Sequence, residues 1–315
     1  MPEFISVHAQ LLQNYIKYKR QLGYKFEYDY SMAQFDHFLA ENNYQNISLD
    51  QEICSKWEKK RPNETDATRY QRVCLIHNYA IYLQKLGYDT CIPEHLYRFK
   101  TTFTPYIFTQ NELDRFFKSC DILYVNSDSP IYPAFFRLLY GCGLRSEEAL
   151  NLKIEDIDFK EKIIYIRKSK NNTERVLPVS ESVMNALLLY YSKYRSNSSG
   201  SDFLFVTKYL NRPAPSTVYH HFRLILESAK IPHGGKGKGP RIHDFRHTFS
   251  VHSLAKMVVQ EIDLYCFLPI LSKYLGHKSI AATEGYIRLT AEVYPNMMER
   301  INTVCADIYP EVYMK

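Results

Sequence analysis

Residues 154–180 read IEDIDFKEKIIYIRKSKNNTERVLPVS, and here the chain changes from helical to strand chemistry. Apolar and polar residues alternate on two arms, Ile163–Tyr165 and the arm around Val176, either side of a polar KSKNN turn. A period of two on both sides of a turn is the pattern of a β-hairpin. C-terminal to it, helical patterns follow at 180–194, 215–229, 241–257 and 263–275. The second part of the chain therefore reads as helices around a small β-hairpin.

N-terminal to the hairpin, Thr109-x-x-Glu112 has the form of a capping box, in which each side chain satisfies a backbone N–H left free at a helix start. Before that, Pro93 and Pro105 lie in an extended, Thr-rich stretch that reads as a boundary. Residues 5–88 show helix after helix: Leu11, Tyr15 and Tyr18 at helical spacing, then Met32, Phe35 and Leu39, then a short charged helix stopped by Pro62 and a longer one closed by glycine. The expected division is a helical domain over 1–100, a linker over 101–107 and a second domain over 108–315. No internal repeat is evident.

Bulk properties narrow the classes. The chain has 315 residues, 45% apolar and 23% charged, which suits two globular domains and is too apolar for disorder. A formal charge of +6 favours an anionic partner without requiring one. Seven widely spaced cysteines (Cys54, Cys74, Cys91, Cys120, Cys142, Cys266 and Cys305) contain no CxxC pair to grip zinc. The N-terminus lacks a signal peptide's apolar core, and no apolar run approaches membrane-spanning length. A reduced, soluble, cytoplasmic protein is expected.

Three stretches carry chemistry. In LLYGCGLRSEEALNL, residues 138–152, Arg145 opens a short helix with Glu148 three residues on. A helix N-terminus beside an arginine suits a phosphate oxygen, although alone this is as well read as a surface Arg–Glu pair. In RIHDFRHTFSVHSL, residues 241–254, His243 and Arg246 share a helical face and His247 points elsewhere. His243 and His247 have metal-ligand spacing but lack the internal glutamate of HExxH, so no metal is expected. The KSKNN turn can swing a lysine toward a substrate, while a single turn lysine is ordinarily just solvated. The GGKGKGPR loop is no phosphate-binding Walker motif.

Taken in order, GCGLR-x-x-E, a turn lysine before ERVLP, H-x-x-R, LGH and T-x-x-Y resemble the tyrosine recombinases, the integrase family, over residues 105–290. The resemblance implies a mainly α protein with a small β-hairpin: an N-terminal helical core-binding (SAM-like) domain and a mixed α+β catalytic domain, clamped in a C shape on DNA. It implies catalytic Arg145, Lys170, His243, Arg246, His277 and Tyr286, supported by Glu148. Lys168 stays open against Lys170, because this turn lacks the glycines that usually flank the lysine. Tyr286 follows His277 by nine residues, in the family register.

The implied reaction cuts and rejoins DNA through a 3′-phosphotyrosine, needing no cofactor, metal or ATP. Implied partners are double-stranded recombination sites, further copies of the chain (a dimer per site, a tetramer in synapsis) and accessory directionality proteins, with no membrane. Met297, Ile301 and Val304 form an apolar stripe on a C-terminal helix expected to dock on a neighbouring protomer or on its own domain. The segment between Arg246 and His277 is longer than in compact members, which favours a mobile-element enzyme (integration, excision or transposition). An added arm-site domain is not expected, because the helical pattern starts almost at the first residue. Dimer-resolving recombinases and type IB topoisomerases are the alternatives.

Overall fold

The computed structural model describes residues 2–94, 104–124, 127, 130–167, 174–235 and 239–294, without the side chains of Tyr265 and Ala291. Two units divide the chain, Met1–Phe103 and Thr104–Lys315.

In the first unit the described elements are helices α1 (Ala9–Gln21), α2 (Asp29–Glu41), α3 (Gln51–Glu58) and α4 (Asp66–Lys85). Two have side-chain N-caps: Asp50 accepts the Ile53 amide at 2.8 Å and Thr65 the Thr68 amide at 3.2 Å. Trp57 is fully enclosed and meets Phe35 edge-on, ring centroids 4.9 Å apart. The expected α1 stripe is rotated. Leu12, Tyr15 and Ile16 are buried, whereas Tyr18 sits at the edge against Tyr82, with ring centroids 5.3 Å apart. Leu11 and Leu12 are both apolar, so spacing alone did not fix which one faces the core.

The second unit contains α5 (Gln110–Tyr124), α6 (Tyr132–Cys142), α7 (Ser146–Leu150), strands β1 (Ile157–Asp158), β2 (Ile163–Ile166) and β3 (Arg175–Pro178), then α8 (Glu181–Tyr194), α9 (Pro215–Ser228), α10 (Asp244–Val259), α11 (Leu264–Leu275) and α12 (Ala281–Val293). The Thr109–Glu112 capping box forms with both reciprocal bonds, at 2.8 and 3.3 Å. Helix α6 is apolar almost all round and packs against α5, α8 and α10, as a central helix must. Phe116, Phe136, Phe222 and Phe245 meet beside it.

The strands form an antiparallel sheet in the order β1-β2-β3, with Ile164 opposite Leu177 and Ile166 opposite Arg175. The two arms pair as expected, and the pairing sets which side chains face the core. Ile164, Ile166 and Leu177 are buried, while Tyr165 and Val176 are exposed. In an unbroken apolar run such as IIYI either phase is open, and the pairing decides it.

A second apolar cluster joins α10 (Val251, Leu254, Val258), α11 (Leu264, Leu268, Leu271, Leu275) and Tyr286 of α12. The long segment after Arg246 thus builds the body of α10 and the whole of α11.

Candidate active site

Arg145 is placed by the turn before it. Helix α6 ends at Gly143, left-handed at φ +58°, where an added Cβ would lie 2.5 Å from the Phe249 ring. Only glycine meets both demands. The chain then turns through buried Leu144 into α7, with Arg145 as its N-cap residue. Glu148 reaches back, accepting the Arg145 amide at 3.0 Å and its Nη1 at 2.9 Å. It also receives Arg175 Nη1 and Nη2, at 3.1 and 2.8 Å. Burial would raise the Glu148 pKa, but the Arg175 bonds and charge, with help from Arg145, bring it below the ordinary value.

Arg246 lies on the first turn of α10, buried at 1% exposure. Its Nη1 donates to the Gly143 carbonyl at 2.8 Å and its Nη2 to the Leu275 carbonyl at 2.7 Å. Burial, with the charge of Arg145, pushes its pKa down to about 10, so it stays charged at neutral pH.

The LGH tripeptide is a helix stop. Gly276, at φ +69°, follows the last residue of α11 and its amide donates to the Lys273 carbonyl at 3.0 Å. The His277 amide donates to the Ser272 carbonyl, also at 3.0 Å. These two bonds are the Schellman pattern, which requires a left-handed residue at the glycine position. His277 is therefore fixed by its own backbone, and its Nδ1 lies 2.8 Å from the hydroxyl of fully buried Thr283. Helix α12 turns Thr283, Tyr286 and Thr290 inward. The Tyr286 ring stacks on the His277 ring at 6.2 Å and 17°.

Tyr286 is 6% exposed, and burial raises its phenol pKa against the opposing charge of Arg246. The imidazole that reaches its hydroxyl is His247, whose Nδ1 lies 3.1 Å away. His247 was expected to point elsewhere. It lies one turn beyond His243, their rings edge to face at 4.9 Å. Burial first, then the positive neighbours, push the pKa values of His247 and His277 down to about 4, so both rings are neutral near pH 7, each with one donor and one acceptor nitrogen. For His243 burial is again the larger influence, and like charges on Arg246, Arg145 and Arg241 add to the downward shift. His243 nonetheless keeps part of its surface open to solvent.

The structure thus brings together Arg145, Glu148, His243, Arg246, His277 and Tyr286. Lys170 and Lys168 lie outside the described residues, as do Met297, Ile301 and Val304. Sequence reasoning missed His247, Thr283 and Arg175. Thr283 and Arg175 stood inside quoted motifs, T-x-x-Y and ERVLP, where they served only as landmarks. Among the described residues no group of three or more His, Cys, Asp or Glu is placed to hold a metal. Three arginines around one carboxylate leave positive charge in excess, as a phosphate site needs.

A buried tyrosine beside two arginines and three histidines, on a helical scaffold with a small sheet, defines the tyrosine recombinases, and the chain is an enzyme of that class. It belongs to the phage integrase family, whose model matches residues 107–293. An integrase/recombinase of Sinorhizobium fredii, y4rB, is 28% identical over 94% of this chain and 98% of its own length. Tyrosine recombinase XerA of Pyrococcus furiosus is 32% identical, over 52% of each chain. The chain thus spans about half the length of that relative. Among solved structures, the Tn1549 transposon integrase in complex with transposon right-end DNA is similar at a TM-score of 0.65 and 17% identity, covering 94% of this chain and 99% of that one. The XerH recombinase bound to its difH substrate matches at 0.65 and 18%, over 88% of this chain and 81% of its own. At these identities the likeness is one of fold. Among the described residues no helix is long and apolar enough to cross a membrane.

Proposed function

We propose that the chain is a site-specific DNA recombinase that cleaves and rejoins strands through a 3′-phosphotyrosine on Tyr286. The observation that carries this is the Tyr286 hydroxyl, held 3.1 Å from a neutral imidazole, in a pocket with Arg145, Arg246 and His277. Arg145 and Arg246 stabilise the charge on the non-bridging oxygens, with His243 and His277 as further donors. The phenol proton passes to a neutral imidazole, and His247 already holds that hydroxyl before DNA arrives. Tyr286 Oη bonds to phosphorus, the bond to the 5′ oxygen breaks, and Lys170 donates the proton that oxygen needs. The phosphotyrosine keeps the energy of the broken bond, so a 5′-hydroxyl from a partner duplex reseals the strand without ATP.

The N-terminal helical unit acts as the core-binding domain on duplex DNA. The assembly is a dimer per site and a tetramer in synapsis, with accessory proteins setting direction, in the cytoplasm. Integration, excision or transposition of a mobile element is the biological setting we favour. The near full-length alignment with the S. fredii integrase/recombinase supports it, as does the fold likeness to the Tn1549 integrase. The half-length alignment with XerA keeps dimer resolution as the second reading.

The test begins with a duplex selected from random sequence by binding to the Tyr286→Phe chain. On a nicked version of it, the unaltered chain should form an SDS-resistant adduct in EDTA, and Tyr286→Phe should form none while binding equally well. Failure of the unaltered chain to form the adduct contradicts the reading. Replacing the scissile bridging oxygen by sulfur separates the lysines: rescue of Lys170→Ala supports it as the acid, and rescue of Lys168→Ala moves the assignment two residues.

A further inference from the structure

An α-helix leaves its last four carbonyls without partners inside the helix. In α11 these belong to Ser272, Lys273, Tyr274 and Leu275. The first two are taken by the amides of His277 and Gly276. The other two are taken by arginines from distant parts of the chain: Arg175 Nε donates to Tyr274 O at 2.9 Å and Arg246 Nη2 to Leu275 O at 2.7 Å. Both arginines also grip the segment around Arg145. Arg246 holds the Gly143 carbonyl and Arg175 holds Glu148 with two nitrogens. The Arg175 side chain is 8% exposed. Two cations at the negative end of a helix are also favourable in themselves.

From this geometry we infer that Arg175, which has no assigned role in the reaction, is the positioning residue that locks the His277 turn to the Arg145 segment. It does so from β3, the strand that follows Lys168 and Lys170 in sequence. Gly276 is part of the same lock: an added Cβ there would lie 3.1 Å from Arg175 Nη1 and 3.3 Å from Cζ, in a backbone conformation already costly for other residues. A lysine can replace the charge of Arg175 but not its fork, since one ammonium cannot span a carboxylate and a carbonyl in fixed directions. The inference rests on the recombinase reading for its kinetic consequence, and its structural consequence stands apart from that reading.

Two arms test it on the full-length chain. The first is NMR titration of the imidazoles, with His8 of the N-terminal unit as internal control. Arg175→Lys should move the His277 titration up toward the ordinary histidine value and leave His8 unchanged. The second is adduct formation on the selected nicked duplex. Arg175→Lys should slow it by about 10–100-fold, the usual size for an outer residue that orients a reacting group, with duplex affinity little changed. Adding His277→Ala to Arg175→Lys should then slow it no further than His277→Ala alone, because both act through one imidazole. An unmoved His277 titration, an unchanged rate, or multiplicative effects in the double variant would each overturn the inference. If the unaltered chain makes no adduct, the recombinase reading fails, and the titration still decides whether Arg175 holds the His277 turn.

Discussion

Each unit buries a glutamate against arginine, and the two arrangements end differently. In the N-terminal unit Arg72 gives Nε and Nη2 to Glu64 at 2.8 and 2.9 Å. It gives Nη1 to the Trp57 carbonyl and Nη2 also to that of Lys59, with its guanidinium over the Trp57 ring. Its charge is matched and each of its nitrogens is engaged within the unit. In the second unit Glu148 is shared by Arg175 and Arg145, and Arg246 stands close by. The Arg145 guanidinium bonds Glu148 through one nitrogen, and 20% of the side chain stays exposed. The contrast is one of charge: Arg72 and Glu64 match within their unit, whereas Glu148 is outnumbered and the Arg145 guanidinium faces out, as the proposed role in phosphate binding requires.

The largest expected difference is kinetic. Arg145→Ala should slow adduct formation by roughly 100–1000-fold, the scale of one lost oxyanion donor, and leave the melting temperature nearly unchanged because Arg175 still pairs Glu148. Arg72→Ala should do the reverse, costing about 1–3 kcal/mol of stability by leaving half-buried Glu64 with only the Arg61 amide bond, while the folded fraction still cleaves. Thermal melts and single-turnover cleavage on both variants check this. Equal losses of both properties would erase the distinction. His247→Ala should come next, slowing adduct formation by about 100-fold at neutral pH if the imidazole takes the phenol proton, with duplex binding intact.

The smallest effect is in acid stability. Glu64 is held down to about 2 by its bonds to Arg72, and Glu148 is also below the ordinary value. A carboxylate depressed in the folded state adds stability above its unfolded pKa and loses it as pH falls through the folded one. Denaturant melts from about pH 5 to about pH 2 should therefore show the unaltered chain losing more stability than Arg72→Ala, which has already lost the pair. A parallel decline would contradict the assignment.

Much of the site was legible because its key residues fall in short local motifs. Gly143-Leu144-Arg145, His243-x-x-Arg246 and Leu275-Gly276-His277 each encode a turn or helix end that the structure shows in detail. What stayed hidden depends on long-range burial. Arg175 meets Glu148 across 27 residues and Tyr274 across 99, and neither pairing leaves a spacing to read. His247 was misdirected because it lies one turn beyond His243, against that ring and within reach of the Tyr286 hydroxyl. Strand β1 is two residues long, too short for a periodic signal. The phases of α1 and of the hairpin were ambiguous because their apolar residues are contiguous.

The central claim is that one tyrosine among 27 carries the DNA. The direct measurement is to trap the adduct on the nicked selected duplex, digest both components and sequence the peptide bearing the nucleotide remnant by mass spectrometry. The account predicts the remnant on Tyr286, in the peptide beginning after Lys278. A remnant on any other residue, or an adduct of equal yield in Tyr286→Phe, would contradict it.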